Sequence, residues 1–332
     1  MVQKMIRTID KLTYYAERKG LLYGIIRYMV KNKEYIDGNP ILTSKFYSYF
    51  YNLPTEQYEE ELQQQIRVFF SEKLDAENIS DPKSFNEKIQ WLKIHAINKD
   101  IIKLVDKYDV RNWVEKRVGK EYLIPIVGGP WKTSDEIDFS KLPEKYVLKA
   151  NHGSGMNRVV CGAEYKAQKD IRKVADCWLH TLFGWKGIEN QYFKIDRKVY
   201  AEQYIEQDDG NLLDYKIHCF NGEPKIIQVI GNRDLVQHTA KEAFFDIEWN
   251  RNDLMYHTYE QYDKLPERPK KLDELLWAAR KLSQGFKYVR VDMYVLDEGI
   301  KFGEMTFTPA IGFGEWPNGD NNNYVGDWID IS

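Results

Sequence analysis

The chain has 332 residues, 43% hydrophobic and 14% aromatic. That is enough apolar material for a large core and two or three subdomains, and it lies outside the composition of a disordered protein. A formal charge of -3 supplies no basic field of the kind nucleic-acid binding requires, so no nucleic-acid partner is expected. Cys161, Cys177 and Cys219 have no CxxC spacing and are odd in number, which excludes a zinc site and a disulfide framework and points to a reducing, cytoplasmic compartment.

In chain order, the first 33 residues carry Lys4, Arg7, Lys11, Arg18, Lys19, Arg27, Lys31 and Lys33 against only Asp10 and Glu17. Met5, Ile6, Ile9, Leu12, Leu22, Ile25, Ile26 and Met29 recur at helical spacing. Two readings stand: a basic amphipathic helix lying on anionic lipid at the inner face of the membrane, or helices that pack their apolar stripe on the body and leave the lysines in solvent. Residues 21–30 form the longest apolar run, which Gly24 and Arg27 interrupt and which is too short to span a bilayer. No signal-peptide pattern is expected either.

Residues 56–77 read as helical and polar until Asp81-Pro82-Lys83-Ser84 breaks the pattern, placing a boundary near residue 80, and residues 86–95 are the next helix. Residues 100–118 read as a helix pair closed by Gly119. Strands are expected at 145–150, 158–161, 199–205, 213–220 and 225–230, helices at 166–183 and 271–286, and connections at Gly128-Gly129-Pro130 and Lys141-Leu142-Pro143. The body is therefore α+β with largely antiparallel strands.

Three stretches carry chemistry. In Tyr146-Val147-Leu148-Lys149-Ala150-Asn151-His152-Gly153-Ser154-Gly155-Met156-Asn157-Arg158 a strand ends near a lysine and opens into a glycine turn. A lysine beside exposed amides suits phosphate oxygens, and Gly153 and Gly155 allow positive φ and close approach. A plain hairpin is the alternative, and no Walker pattern is present. In the next stretch Asp214, Lys216 and His218 share one strand face, while Glu202 lies between Tyr200 and Tyr204. A buried Glu202 needs an ion-pair partner or a ligand, and Lys216 is either a second site cation or a solvated strand lysine. In the third, Arg290 and Asp292 point the same way, Phe302, Glu304 and Thr306 share a face, and Asp297-Glu298-Gly299 turns the two runs into a hairpin. Asp292 and Glu304 brought that close call for a cation or a proton between them, a layout suited to metal-nucleotide chemistry.

These pieces occur in order with Asp106-Lys107-Tyr108-Asp109-Val110-Arg111, Tyr122-Leu123-Ile124-Pro125 and Cys219-Phe220-Asn221-Gly222-Glu223-Pro224-Lys225. Over residues 84–327 the chain resembles the ATP-grasp enzymes, most closely the TupA-like branch associated with bacterial cell-surface polysaccharide and capsule gene sets. The resemblance implies an ATP-grasp fold, two α+β lobes enclosing the nucleotide, preceded by a helical N-terminal extension. It divides the chain into 1–80 (extension), 81–145 (N-terminal part of the body), 146–210 (lobe with the phosphate loop) and 211–332 (lobe with the metal site). It also implies ATP and Mg2+ as cofactors.

Carried over residue by residue, the resemblance makes Lys149 a contact of the α- and β-phosphates and Lys103 the earlier lysine of the pattern. His152, Gly153, Ser154 and Gly155 match the loop that closes over the phosphates, and Glu202, Gln203, Tyr204 and Ile205 match the linker that reads adenine. Lys216 matches a further phosphate contact with a catalytic part. Asp292 and Glu304 match the magnesium ligands, and Arg290 matches the catalytic arginine that stabilises developing charge. Thr306 stands where many members have asparagine, and its hydroxyl is the weaker metal donor.

The implied activity is ADP-forming ligation of a carboxylate to an amine through an acyl phosphate. The expected partners are an amine or amino acid and a uronic acid or other carboxylate of a surface glycan or its precursor. Gly312, Phe313 and Gly314, together with Arg233 and His238, are the substrate contacts expected beside the metal strand; His238 reads equally as a solvated loop histidine. Two alternatives stay open: an ATP-dependent glycan kinase, which would release no free phosphate, and a non-catalytic glycan-binding protein of the same fold. If the acceptor is lipid-linked, peripheral membrane contact through residues 1–33 would serve it.

Overall fold

The computed structural model describes residues 2–19, 48–205, 212–234, 239–256 and 258–332. They divide into two compact units: Met1–Glu77, Ile97–Tyr108 and Pro125–Tyr204 in the first, Asn78–Ala96, Asp109–Ile124 and Ile205–Ser332 in the second. The division is interleaved, whereas the sequence reading drew consecutive segments. The reason lies in packing: Phe85, Ile89 and Leu92 of the helix Phe85–His95 find their core partners far downstream, in Phe220, Tyr288 and Val325.

The first unit holds a four-stranded sheet in the order β1 (Ile126–Trp131), β4 (Val199–Gln203), β2 (Tyr146–Ala150), β3 (Asn157–Val160), antiparallel throughout. Alternation along β2 sends Tyr146, Leu148 and Ala150 into a core with Ile171, Ala175 and Trp178 of the helix Gln168–His180. Val147 and Lys149 are left on the other face. Gly128, Gly129 and Pro130 lie within β1 and not in a connection; as an edge strand with irregular register, β1 tolerates a proline that a central strand would not.

The helix Val2–Lys19 belongs to this unit and packs on the helix Tyr58–Gln65. Glu61 accepts from Tyr14 Oη at 2.5 Å, Arg18 Nε at 3.0 Å and Tyr49 Oη at 2.7 Å, and all but Tyr49 are buried. Residues 20–33, the rest of the basic segment, lie outside the described residues. The helical run expected at 56–77 is shorter than read, passing into a π turn at Ile66–Phe70. Among the described residues no helix is long and apolar enough to cross a membrane.

The second unit holds a six-stranded sheet, ordered β10 (Gly299–Thr306), β9 (Tyr288–Leu296), β5 (Asp214–Phe220), β6 (Glu223–Asp234), β7 (Thr239–Phe245), β8 (Glu260–Gln261). All neighbours are antiparallel except β7 and β8. The helix Leu272–Ser283 buries Leu272, Leu275, Ala278, Ala279 and Leu282, an apolar face at helical spacing. Every residue of β5 is buried, so its charged residues face protein and not bulk water.

Candidate active site

The second unit assembles its charges through strand register. Across β9 and β10, Met293 pairs with Phe302 but Asp292 pairs with Glu304, so Gly303 is the extra residue of a β-bulge. This corrects the expectation that Phe302 shares a face with Glu304 and Thr306. Phe302 is buried beside Met293, while Glu304 and Thr306 stand opposite Asp292 and Arg290. A Cβ on Gly303 would lie 3.1 Å from the Asp292 carbonyl oxygen, a close approach that favours glycine.

On the same face β5 sets Lys216 opposite Asp292 and His218 opposite Arg290. Arg290 forks onto Asp292, Nε to Oδ1 and Nη2 to Oδ2, both at 2.7 Å, and Nη2 also reaches Thr306 Oγ1 at 3.1 Å and Glu304 Oε1 at 3.3 Å. Lys216 Nζ donates to Asp292 Oδ2 and lies 2.8 Å from Asp214 Oδ2, which also accepts from Arg233 Nη2 at 2.9 Å. Arg233, Asp214, Lys216, Asp292, Arg290 and Glu304 thus form one alternating chain of charge over four adjacent strands. Buried charges persist where each is paired in this way.

Burial works against the Lys216 ammonium, but Asp214 and Asp292 outweigh it and raise its pKa. Burial likewise opposes the Arg290 guanidinium, and Asp292 and Glu304 hold its pKa well above the ordinary value. Both therefore stay charged. His218 is neutral: burial, helped by Arg290, lowers its pKa to about 3, and its Nδ1 meets Tyr288 Oη at 2.8 Å.

Asp292 and Glu304 are hard oxygen donors at directly opposed positions. Among the described residues no cluster of three or more His, Cys, Asp or Glu could hold a metal alone. The pair fits an ion that completes its shell with phosphate oxygens and water, as magnesium does with nucleotides. Thr306 Oγ1 donates to Glu304 Oε1 at 3.2 Å, which orients the carboxylate.

In the first unit, Lys149 Nζ lies 2.5 Å from Glu202 Oε2 across β2 and β4. The turn after β2 is anchored by Asn151, which is 0% exposed and donates to Asp106 Oδ2 at 2.7 Å and the Asp196 carbonyl at 3.0 Å while accepting from the Lys198 amide at 2.8 Å. Beyond it Ser154 and Gly155 are exposed, and Gly155 has φ +73 with open space around it. Gly153 is buried and could not take a Cβ without meeting Met156 Sδ at 2.8 Å.

Two expectations shift here. His152, expected in the loop that closes over the phosphates, is a core residue: it is buried, and burial together with Arg197 lowers its pKa to about 3. Lys103 is exposed on the helix Lys99–Val105, whereas Lys107 donates from Nζ to the Gly153 carbonyl at 2.8 Å. The available signal was the Asp106-Lys107 pair itself, whose aspartate holds Asn151 and whose lysine reaches the turn.

Of the remaining residues, Gln203 is exposed and its amide donates to the Pro125 carbonyl at 2.9 Å; Tyr204 lies under Lys145 Nζ at 4.0 Å, and Ile205 is half-buried. Gly312 has φ +72, Phe313 is buried with Lys93 Nζ 5.2 Å from its ring, and Gly314 lies against Tyr256, whose ring a Cβ would meet at 2.9 Å. His238 lies outside the described residues.

Known proteins give the following similarities. Two crystal structures of D-alanine–D-alanine ligase from Bacillus anthracis, the second complexed with ATP, match with 18% and 19% identity and TM-scores of 0.36 and 0.37, over 63% and 68% of this chain. The chain spans 58% and 65% of those two structures. D-alanyl-alanine synthetase A from Vibrio cholerae matches at 14% identity and TM-score 0.39, over 70% of this chain and 66% of its own. The ATP-grasp ligase PsnB, complexed with a phosphomimetic variant of its minimal precursor, Mg and ADP, matches at 10% identity and TM-score 0.38, over 91% and 73%. A search of curated proteins finds no match. A model of the TupA-like ATPgrasp family matches residues 87–330, the stretch that contains both β2 with its turn and the β9–β10 hairpin, and the chain belongs to that family.

Proposed function

We propose that this chain is an ATP-dependent, ADP-forming ligase that joins an amine or amino acid to a carboxylate, the carboxylate being a uronic acid or similar group of a bacterial surface polysaccharide or its precursor. The observation that carries the reading is the register of β9 and β10, which opposes Asp292 to Glu304 and Arg290 to Thr306 inside the stretch matched by an ATP-grasp family.

Asp292 and Glu304 would hold magnesium, which when bound neutralises phosphate charge. Lys149 is assigned to phosphate oxygens, with Lys107 in the place expected for Lys103 because it is the lysine at the glycine turn. Ser154 and Gly155 offer backbone amides at an exposed turn. Residues 202–205 are assigned to adenine.

Lys216 and Arg290 remain charged in a buried setting, so they can stabilise negative charge that develops during phosphoryl and acyl transfer without being reorganised at that moment. Arg233 is held by Asp214 and by a hydrogen bond with the Tyr259 side chain, and a guanidinium fixed in this way suits recognition of a substrate carboxylate. The reading places the enzyme in the cytoplasm, with residues 1–33 at the inner face of the membrane where the acceptor is lipid-linked.

The test is product analysis by mass spectrometry with ATP, magnesium and a panel of uronic acids and amines. An amide formed together with ADP and free phosphate is the expected result. A phosphorylated glycan without free phosphate would make the protein a kinase, and failure to bind magnesium-ADP would remove the nucleotide reading altogether.

A further inference from the structure

The helix Phe85–His95 buries two stripes. Phe85, Ile89 and Leu92 enter the apolar core, but Asn86, Gln90 and Lys93 are only 3%, 0% and 0% exposed although polar. Their spacing of four and then three puts them on one helix face. Burying such groups is unfavourable unless each finds a partner.

All three reach the segment that follows β10. Lys93 Nζ donates to the Ile311 carbonyl at 2.6 Å, Gln90 Nε2 to the Gly312 carbonyl at 2.7 Å and the Ile311 carbonyl at 3.2 Å, and Asn86 Nδ2 to the Gly314 carbonyl at 2.9 Å. Lys93 also donates to Gln90 Oε1 at 2.7 Å, which joins the two side chains into one unit.

The backbone they grip is strained. Ala310, Ile311 and Gly312 have φ of +49, +60 and +72 in succession. A left-handed β-branched residue is a true outlier, and such strain lasts only where the surroundings over-determine it. Gly312 fits because a Cβ there would come within 2.6 Å of Gln90 Nε2.

We infer that Gln90 and Lys93 are positioning residues that hold the turn at 310–312 left-handed and so shape the subsite for the carboxylate-bearing acceptor. The assignment to an acceptor rests on the proposed ligase function; the clamp itself rests on geometry. The turn follows directly on the strand carrying Glu304 and Thr306, and fixing the carbonyls of 311, 312 and 314 fixes the planar peptides an acceptor would read. The hydrogen bonds by which Gln90 and Lys93 grip the turn go to the carbonyls of 311 and 312 and to each other, so the nucleotide part of the site should not feel their loss.

The experiment compares wild type with Gln90→Met, Lys93→Met and Gln90→Glu, the last chosen because it keeps the buried ammonium paired if Lys93→Met does not fold. Hydrogen exchange in peptides covering 308–316 should rise by about tenfold, with the β9 and β10 peptides unchanged. Magnesium-ADP affinity should stay within about twofold, while KM for the acceptor found by the product screen rises about tenfold and kcat changes by less than about threefold. Unchanged exchange at 308–316 in a folded variant overturns the clamp. Faster exchange with an unchanged acceptor KM, or with lost magnesium-ADP affinity, overturns the acceptor assignment. If no acceptor supports turnover in wild type, the ligase reading fails while the exchange result still decides the clamp.

Discussion

Lys149 and Glu202 form a close ion pair across β2 and β4, Nζ to Oε2 at 2.5 Å, with side chains 18% and 7% exposed. A lysine assigned to phosphate is therefore tied to a carboxylate on the neighbouring strand, and the two roles can be separated. Lys149→Ala would remove the assigned phosphate contact and the ion pair that the buried Glu202 makes across the strands. Stability should fall by about 3 kcal/mol and nucleotide affinity by about 1.5 to 3 kcal/mol. Adding Glu202→Gln should restore most of the stability and none of the affinity, which thermal melts and calorimetry on the double-mutant cycle would read. Unchanged ATP affinity in Lys149→Ala would remove the residue from the phosphate site.

Asp292 and Glu304 oppose each other but are not equivalent. Asp292 is 2% exposed and takes Arg290 and Lys216 on its two oxygens, whereas the Glu304 side chain is 27% exposed. Both Asp292→Asn and Glu304→Gln should abolish ADP formation. Only Asp292→Asn should also lower the melting temperature clearly, since it leaves two buried cations short of a partner. Near-native turnover in either variant would defeat the metal assignment.

Gly303 makes a sharper test of the register. The Cβ of Gly303→Ala would sit 3.1 Å from the Asp292 carbonyl oxygen, so the bulge must open by a few tenths of an ångström, which moves Glu304 relative to Asp292. The expected result is a stability loss of about 1 to 3 kcal/mol with activity falling further than stability explains. A folded, fully active Gly303→Ala enzyme would show that the bulge does not set the site.

Much of this arrangement was legible in the sequence, because period-two alternation alone puts Asp214, Lys216 and His218 on one face of their strand and Arg290 with Asp292 on one face of theirs. What alternation misses is register. The bulge at Gly303 adds a residue to one strand only, so Phe302 changes face and no count along β10 reveals it. Lys103 and Lys107 are similarly indistinguishable by charge and spacing; the difference is that Asp106 holds Asn151 and brings the chain after it to the Gly153 carbonyl. Nothing local in the helix read at 86–95 says that Asn86, Gln90 and Lys93 are buried with carbonyls at 311 to 314 as partners.

Acid should act through His152. Its pKa in the folded protein is about 3 against an ordinary 6.5, from burial and the nearby Arg197. The folded state resists a proton that the unfolded chain accepts, so the associated stability is complete above pH 6.5 and is lost as pH falls toward 3. The slope amounts to about 1.4 kcal/mol per pH unit within that window. His152→Gln removes this titration, so melts between pH 6 and 4 should show a shallower decline than wild type by roughly that amount. Parallel curves would mean that His152 protonates in the folded state.

The basic N-terminal segment poses the last question, because the described part of it is already engaged. Arg18 and Tyr14 are buried against Glu61 and Lys11 Nζ lies 5.9 Å from the Phe69 ring centroid on the same face, while Ile9, on the opposite face, is 54% exposed. One side of the helix Val2–Lys19 is thus a packing surface, and the proposed lipid contact would fall to the other. Deleting residues 1–33 would confuse the two by exposing the Tyr14 niche, so charge reversal is the cleaner probe. Lys4→Glu combined with Lys11→Glu should weaken co-sedimentation with anionic vesicles at low salt by about tenfold or more, given about 1 kcal/mol for each basic residue near such a surface, with the melting temperature measured alongside because Lys11 also lies over the Phe69 ring. High salt should release the wild type to the same level. Arg18→Ala should do the reverse, lowering stability by about 3 kcal/mol through loss of the buried ion pair with Glu61 and leaving the salt-sensitive binding in place. If wild type and the charge-reversed variant sediment equally weakly at both salt concentrations, the helix is a packing element alone and the membrane contact should be dropped.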